Sequence, residues 1–286
     1  MKIITTIADV REHIKTCDCN TIGLVPTMGA LHRGHLNLVE KCSAENDITV
    51  VSIFVNPAQF GPNEDFDRYP RDLKRDEAML EEMGVDIVFY PTTEEIYPAG
   101  FSTYVDMGDM GKVLCGKSRP THFRGVATVV LKLFNIVAPD YAYFGRKDAQ
   151  QVLILKRMVR DLNVGVTIKT VPIIRDEDGL ALSSRNIYLS PVERESALNL
   201  PRGLVKAKEQ IENGLRDALE IKKLVEEELK KNPLNKVDYI ETVTLDTLEN
   251  YAGREDKRID INNTLVAAAV RVGKTRLIDN FILGEV

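Results

Sequence analysis

Residues 21–46, TIGLVPTMGALHRGHLNLVEKCSAEN, contain every part of one α/β unit in a single stretch. Residues 21–25 form an apolar run of strand length, and residues 36–46 carry amphipathic helical spacing. The turn between them is short and rich in polar groups. The same alternation recurs outward from it. Strand-like runs at 48–55, 86–90, 141–144 and 166–174 are separated by helical stretches at 71–83, 126–137 and 148–162. In the last of these, Val152, Leu155, Val159 and Leu162 repeat as one stripe expected to be buried. Such alternation with short connections predicts a parallel sheet covered by helices on both faces, a doubly wound Rossmann-like α/β domain over residues 1–175.

The pattern changes near Arg175. Asp176, Glu177, Asp178 and Gly179 predict a turn, residues 190–231 are mostly helical and heavily charged, and strand-like runs at 237–244, 264–272 and 276–283 follow. Residues 176–286 are expected to form a smaller C-terminal α+β domain. The 286 residues suffice for two such domains.

Composition narrows the function classes. Lys and Arg number 38 against 43 Asp and Glu, a net charge of −5, where affinity for nucleic acid or an anionic membrane would call for a basic excess. No apolar run approaches the ~20 residues of a spanning helix. Asp9 and Arg11 stand where a secretory leader would need apolar residues, so a cytoplasmic protein is expected. The four cysteines (Cys17, Cys19, Cys42, Cys115) are too scattered for a disulfide scaffold, and the C-x-C pair lacks a partner pair with zinc spacing.

The chemistry is concentrated where strands end, the place at which open parallel sheets bind ligands. The first is Pro26, Thr27, Met28, Gly29, Ala30, Leu31, His32, Arg33, Gly34 and His35. Its H-x-G-H core places two of the chain's four histidines on one face of a helical first turn, beside backbone N–H groups that attract anions. This suits a phosphate-rich substrate and charge building on departing pyrophosphate. The second end presents Gln59, an uncharged amide able to donate to and accept from a small hydroxy acid, and the polar stretch through Arg71 is long enough for a lid. A third end holds Gly145, Arg146, Lys147 and Asp148, with Gln151 four residues after Lys147; Lys147 would neutralise phosphate, and Asp148 would cap the helix or help hold Mg²⁺. The last carries Leu182, Ser183, Ser184 and Arg185, two hydroxyls and a guanidinium as a phosphate clamp.

Residues 111–118, GKVLCGKS, match the P-loop pattern letter for letter. Pro120 and Gly125 would interrupt the long helix a P-loop requires, so Gly116 is expected instead to be a left-handed stop of a short helix containing Val113 and Leu114.

Taken together, PTMGALHRGH, VSIFVNPAQFGPNEDFDRYPRD, HFRGV, KLFNIVAPDYAYFGRKDAQQ, DGLALSSRN and TRLIDN, in this order, resemble the pantothenate synthetase (pantoate–β-alanine ligase) family of the HxGH nucleotidylyltransferases. The resemblance implies ATP-dependent condensation of pantoate with β-alanine through a pantoyl adenylate, releasing pyrophosphate and AMP and yielding pantothenate for coenzyme A synthesis. It implies that Met28, Gly29, Ala30, Leu31, His32, Arg33, Gly34, His35, Gly145, Arg146, Lys147, Asp148, Ile174, Leu182, Ser183, Ser184 and Arg185 contact ATP, with Mg²⁺ on the phosphates. His35, His32, Lys147 and Arg185 would serve catalysis, Gln59 and Gln151 would hold pantoate, and Gln59 would also lie near β-alanine. A homodimer is implied, with neither nucleic acid nor membrane as partner. A related adenylyltransferase would release a nucleotide product instead, whereas a tRNA synthetase is opposed by the acidic balance and the length. A nucleotide sensor would have no use for the paired glutamines.

Arg146 stands where many members of that family carry Glu, and Thr121 where Gly is usual. Arg146→Glu is expected to raise the Michaelis constant for ATP, and an unchanged constant in steady-state kinetics would contradict this.

Overall fold

A computed structural model describes residues 1–286 except Asp18, Asn63 and Val286. By its internal contacts the chain divides into two compact units. One comprises Met1–Lys112, Gly116–Arg146 and Ile154–Pro172, the other Val113–Cys115, Lys147–Leu153 and Ile173–Val286. The division is therefore not a single cut, since Val113–Cys115 and Lys147–Leu153, as well as residues 173–175, are counted with the second unit.

The first unit is built on strands β1 (Lys2–Ile4), β2 (Ile22–Thr27), β3 (Ile48–Ile53), β4 (Ile87–Phe89), β5 (Tyr141–Gly145) and β6 (Thr167–Val171). They pair in the order β1-β4-β3-β2-β5-β6, all in parallel. The helices along this part of the chain are α1 (Ile7–Thr16), α2 (Arg33–Glu45), α3 (Leu73–Glu82), α4 (Thr93–Ile96), α5 (Cys115–Ser118), α6 (His122–Val137) and α7 (Ala149–Asp161), with the start of α5 and of α7 counted in the second unit. From β2 the chain winds outward through β3 and β4, then returns to place β5 on the other side of β2. That reversal is a topological switch point, and open parallel sheets generally bind ligands beyond the strand ends at such a point.

Helix α2 packs on β2, β3 and β5, and Val39 and Cys42 on its inner face join Val25, Val51, Leu80, Val88 and Tyr143 in one core. Burial pushes the Cys42 thiol up to about 12, so it stays protonated and inert. Helix α6, buried along most of its length, packs against α1 and β2 and stops at Ala138, left-handed at φ 48°.

Two local expectations are corrected. Sequence patterning did not reveal β1 and α1: three residues are too few for a strand period, and α1 buries only Val10. In α7 the stripe runs through Val152, Leu155 and Met158 with Ile154, whereas the helix ends at Asp161 and Leu162 is exposed.

In the second unit, helices α8 (Pro191–Ala197), α9 (Asn199–Glu212) and α10 (Ala218–Leu229) precede an antiparallel sheet of β7 (Asn235–Thr244), β8 (Asn263–Val272) and β9 (Thr275–Gly284), with β8 central. Its core joins Leu204, Ile211, Ile221 and Val225 to Val266, Ala268 and Val270. A capping box of Ser190 and Glu193 starts α8, and the Asp217 carboxylate accepts the Leu219 and Glu220 N–H groups at the start of α10.

Candidate active site

Beyond β2 the backbone turns sharply. Gly29 and Ala30 are both left-handed, at φ 77° and 51°. Two features hold that turn. The Thr27 hydroxyl donates to the Ser52 carbonyl at 2.8 Å and accepts the Gly29 N–H at 3.2 Å. The carboxylate of Asp76, from α3, accepts the Ala30 and Leu31 N–H groups, each at 2.8 Å. Asp76 is buried, and burial pushes its carboxyl above the ordinary range against the pull of those two N–H groups. A Cβ on Gly29 would stand 2.9 Å from an Asp76 oxygen, so the close approach itself requires glycine.

The turn delivers His32 as the N-cap of α2. Its Nδ1 accepts the Gly34 N–H at 3.1 Å, which leaves the ring proton on Nε2. The His32 and His35 rings stack with centroids 4.1 Å apart. Spacing alone thus located both imidazoles correctly on one face, at a helix N-terminus suited to an anion.

The loop after β3 is organised by Asn56, which is wholly buried. Its Oδ1 accepts from the Ala58 N–H (3.2 Å) and the Tyr97 hydroxyl (2.8 Å), while its Nδ2 donates to Gln59 Oε1 (3.0 Å) and the Gly125 carbonyl (3.2 Å). Gln59 Nε2 in turn lies 3.1 Å from Met28 Sδ, which brings Gln59 to the histidine-bearing loop. The Gln59 carbonyl accepts from His122 Nδ1 (2.9 Å) and from Arg119 (3.3 Å). Arg119 also grips Glu64 through Nε and Nη2, at 2.6 and 2.5 Å. Burial would raise the Glu64 carboxyl, but the hydrogen bonds and charge of Arg119 outweigh it and hold the pKa below the usual value. The stretch expected to act as a lid is tied here, by Glu64 and by Phe60 packed edge-on to Phe66 and Tyr69. Gly125 lets α6 touch this loop: a Cβ there would lie 2.1 Å from the Ala58 carbonyl oxygen.

Sequence reasoning did not assign Asp76, Asn56, Arg119 or Gly125 to this arrangement. One signal was available for Asp76. Leu73, Asp76 and Leu80 share a helical spacing, so a carboxylate interrupts an otherwise buried stripe.

In the second unit Lys147 and Asp148 belong to a 3₁₀ turn, Arg146–Asp148, immediately before α7, with Lys147 Nζ 4.0 Å from Asp148 Oδ2. Gln151 is half-buried on the first turn of α7. Its neighbour Gln150 has a structural task, donating to the Val113 carbonyl (2.8 Å) and accepting the Cys115 N–H (3.0 Å). Ile174 and Leu182 meet across a hairpin base, where the Leu182 N–H donates to the Ile174 carbonyl at 3.0 Å. The hairpin turns at Gly179 (φ 92°), whose N–H donates to the Asp176 carbonyl. Ser183 then accepts the Arg185 N–H on its hydroxyl and caps the 3₁₀ turn Ser184–Tyr188.

Residues 111–118 are not a P-loop. A 3₁₀ turn, Gly108–Gly111, precedes them, and α5 spans four residues. Gly116 is not the expected left-handed stop: that conformation belongs to Leu114 (φ 49°), before the helix, and Gly116 is needed because a Cβ would lie 2.0 Å from the Gly111 carbonyl oxygen. Among the described residues no three His, Cys, Asp or Glu side chains gather to hold a metal.

A sequence profile described as pantoate-beta-alanine ligase matches residues 2–282. The chain belongs to the pantoate–β-alanine ligase family. It is 55% identical to a pantothenate synthetase of Acetivibrio thermocellus over 285 residues, 99% of each chain. Its fold is similar to the crystal structure of pantothenate synthetase from Thermus thermophilus, with TM-score 0.91, 45% identity and 100% of both chains covered. A pantoate–β-alanine ligase from Francisella tularensis, solved in complex with β-γ ATP and β-alanine, is also similar, with TM-score 0.78, 34% identity and coverage of 99% and 97%. Family membership makes this chain a carbon–nitrogen ligase.

Gly125→Ala forces α6 away from the Gln59 loop. It is expected to cost about 1–3 kcal/mol and to lower ligase activity, and a variant with the parent melting temperature and turnover would contradict the packing argument. Asp76→Asn can face only one of the two N–H groups with an acceptor. It is expected to lose about 1–3 kcal/mol in denaturant titration, and unchanged stability would contradict the role given to Asp76.

Proposed function

We propose that the protein joins pantoate to β-alanine in two steps on bound ATP. A pantoate carboxylate oxygen attacks the α-phosphorus and pyrophosphate leaves; the β-alanine amine then attacks the acyl carbon, loses a proton, and AMP leaves with the carboxylate oxygen. Such a sequence needs no enzyme nucleophile, only positioning of two anions and stabilisation of the leaving group.

The stacked His32–His35 pair at the N-terminus of α2, with Gln59 held beside Met28, carries this reading. With Nδ1 accepting the Gly34 N–H, His32 would present Nε2 to the nucleotide as a donor, and the helix dipole favours the negative charge that grows on pyrophosphate. Residues Met28, Gly29, Ala30, Leu31, Arg33 and Gly34 would line the nucleotide with backbone and side chain. Gln59 suits pantoate because an amide recognises hydroxyl and carboxylate without adding a charge, and its neighbour Arg119 is already neutralised by Glu64. We assign Gln151 to the same substrate, and Gly145, Arg146, Lys147, Ile174, Leu182, Ser183, Ser184 and Arg185 to ATP, Lys147 and Arg185 as the phosphate cations.

Mg²⁺ is usually held by one or two carboxylates plus substrate phosphates, and the half-exposed Asp148 suits such an ion. When bound, Mg²⁺ supplies charge neutralisation on the triphosphate, and Asp148 would hold it. We carry over from the resemblance a homodimer working in the cytoplasm; among the described residues no helix is long and apolar enough to cross a membrane.

His35→Ala is expected to lower kcat by ~10²–10³ with a smaller change in substrate affinity. Pantoate-dependent exchange of labelled pyrophosphate into ATP, without β-alanine, is expected in the parent and nearly abolished in the variant. Exchange that requires β-alanine, or a variant that loses binding but not saturated turnover, would contradict the reading.

A further inference from the structure

Strand β9 carries two adjacent polar residues, Asp279 and Asn280, that are both buried. Successive side chains of a strand point to opposite faces. Leu277 and Phe281 join the helical core, which places Asp279 on that face. Asn280 lies on the other, with Arg276, whose guanidinium is 3.6 Å from Cys115 Sγ. The residues opposite on β8 are Ala268 and Ala267, small enough to leave room for polar partners on both faces.

Each of the two holds a different segment of the same unit. Asn280 Nδ2 donates to the Lys147 carbonyl at 2.8 Å, fixing the 3₁₀ turn that presents the lysine. Asp279 accepts from both terminal nitrogens of Arg175, at 2.6 and 2.9 Å. Arg175 also donates to the Gly179 carbonyl at 3.1 Å, which locks the hairpin leading into Ser183, Ser184 and Arg185. An aspartate this deeply buried is sustained by a bidentate partner.

We propose that Asp279 and Asn280 are positioning residues for adenylate formation: from one point on β9 they set where Lys147 and the Ser183-Ser184-Arg185 segment stand, without touching substrate. The proposal rests on the assignment of Lys147 and Arg185 made above. Geometry of this kind matters because displacement of a charge by about 1 Å can cost on the order of a hundredfold in rate.

The test uses the full-length enzyme with Asn280→Ala and Asn280→Asp, the second nearly isosteric but lacking the donor. Both are expected to slow pantoate-dependent pyrophosphate exchange about tenfold, while the Michaelis constant for β-alanine and the reaction of preformed pantoyl adenylate with β-alanine stay within about twofold. In a Lys147→Ala background, Asn280→Ala is expected to add less than about twofold. Arg175→Lys, which keeps the charge but loses the fork, is expected to show the same half-reaction selectivity and provides the measurement if the Asn280 variants do not fold. Exchange at the parent rate, an equal loss in both half-reactions, or a full additional loss on Lys147→Ala would overturn the proposal. If Lys147→Ala itself leaves exchange unchanged, the assignment of Lys147 fails; if it slows exchange and the Asn280 and Arg175 variants do not, only the positioning role fails.

Discussion

Two consecutive left-handed residues, Gly29 and Ala30, must be held at the exit of β2, and the Thr27 hydroxyl together with one buried carboxylate, Asp76, holds them. For Ala30 that conformation costs roughly 1–2 kcal/mol, which two charge-assisted hydrogen bonds to Asp76 offset. Without this turn the chain would leave the sheet in extended form, and His32 would not reach the N-cap of α2. The stacked imidazoles, the setting of the α2 N-terminus and the approach of Gln59 to Met28 all follow from it.

The chemistry of the family sets an electrostatic problem, because a carboxylate must approach a polyphosphate. In the proposed reading the first unit answers with groups that attract anions without a formal charge of their own: the α2 N-terminus, the His32 imidazole and the Gln59 amide. The nearby guanidinium of Arg119 is tied to Glu64 and to the Gln59 backbone carbonyl, so it fixes the loop that carries the amide instead of presenting bare charge. Lys147 and Arg185, the cations proposed for phosphate, belong to the second unit, where Asn280 on β9 donates to the Lys147 carbonyl and Asp279 holds Arg175 at the hairpin that precedes Ser183. Fixed dipoles and fixed charges of this kind need little reorganisation as the transition state forms.

What was legible in the sequence follows the range of the interaction involved. The strands β2 to β6 and helices α2, α3, α6 and α7 declare themselves by local apolar periodicity, and the histidine pair by its spacing. Where the determinant is distant, local pattern is silent. Gly125 is required by the Ala58 carbonyl and Asn56 by Gly125, a partnership across 69 residues that no period encodes. The short edge strand β1 offers too few residues to show alternation, and Leu162 continued a stripe in spacing after the helix itself had stopped. Gly116 shows a further ambiguity, since one residue type serves both positive φ and close approach, and only coordinates tell them apart.

Adenylate formation at the α2 N-terminus is the claim on which the account stands, and the fate of the pantoate carboxylate oxygens tests it most directly. With both of them labelled by oxygen-18, a single turnover in the presence of ATP and β-alanine should place one labelled oxygen in AMP and leave the other in the amide carbonyl of the product. Unlabelled AMP, with the heavy oxygen recovered in pyrophosphate or inorganic phosphate, would contradict it.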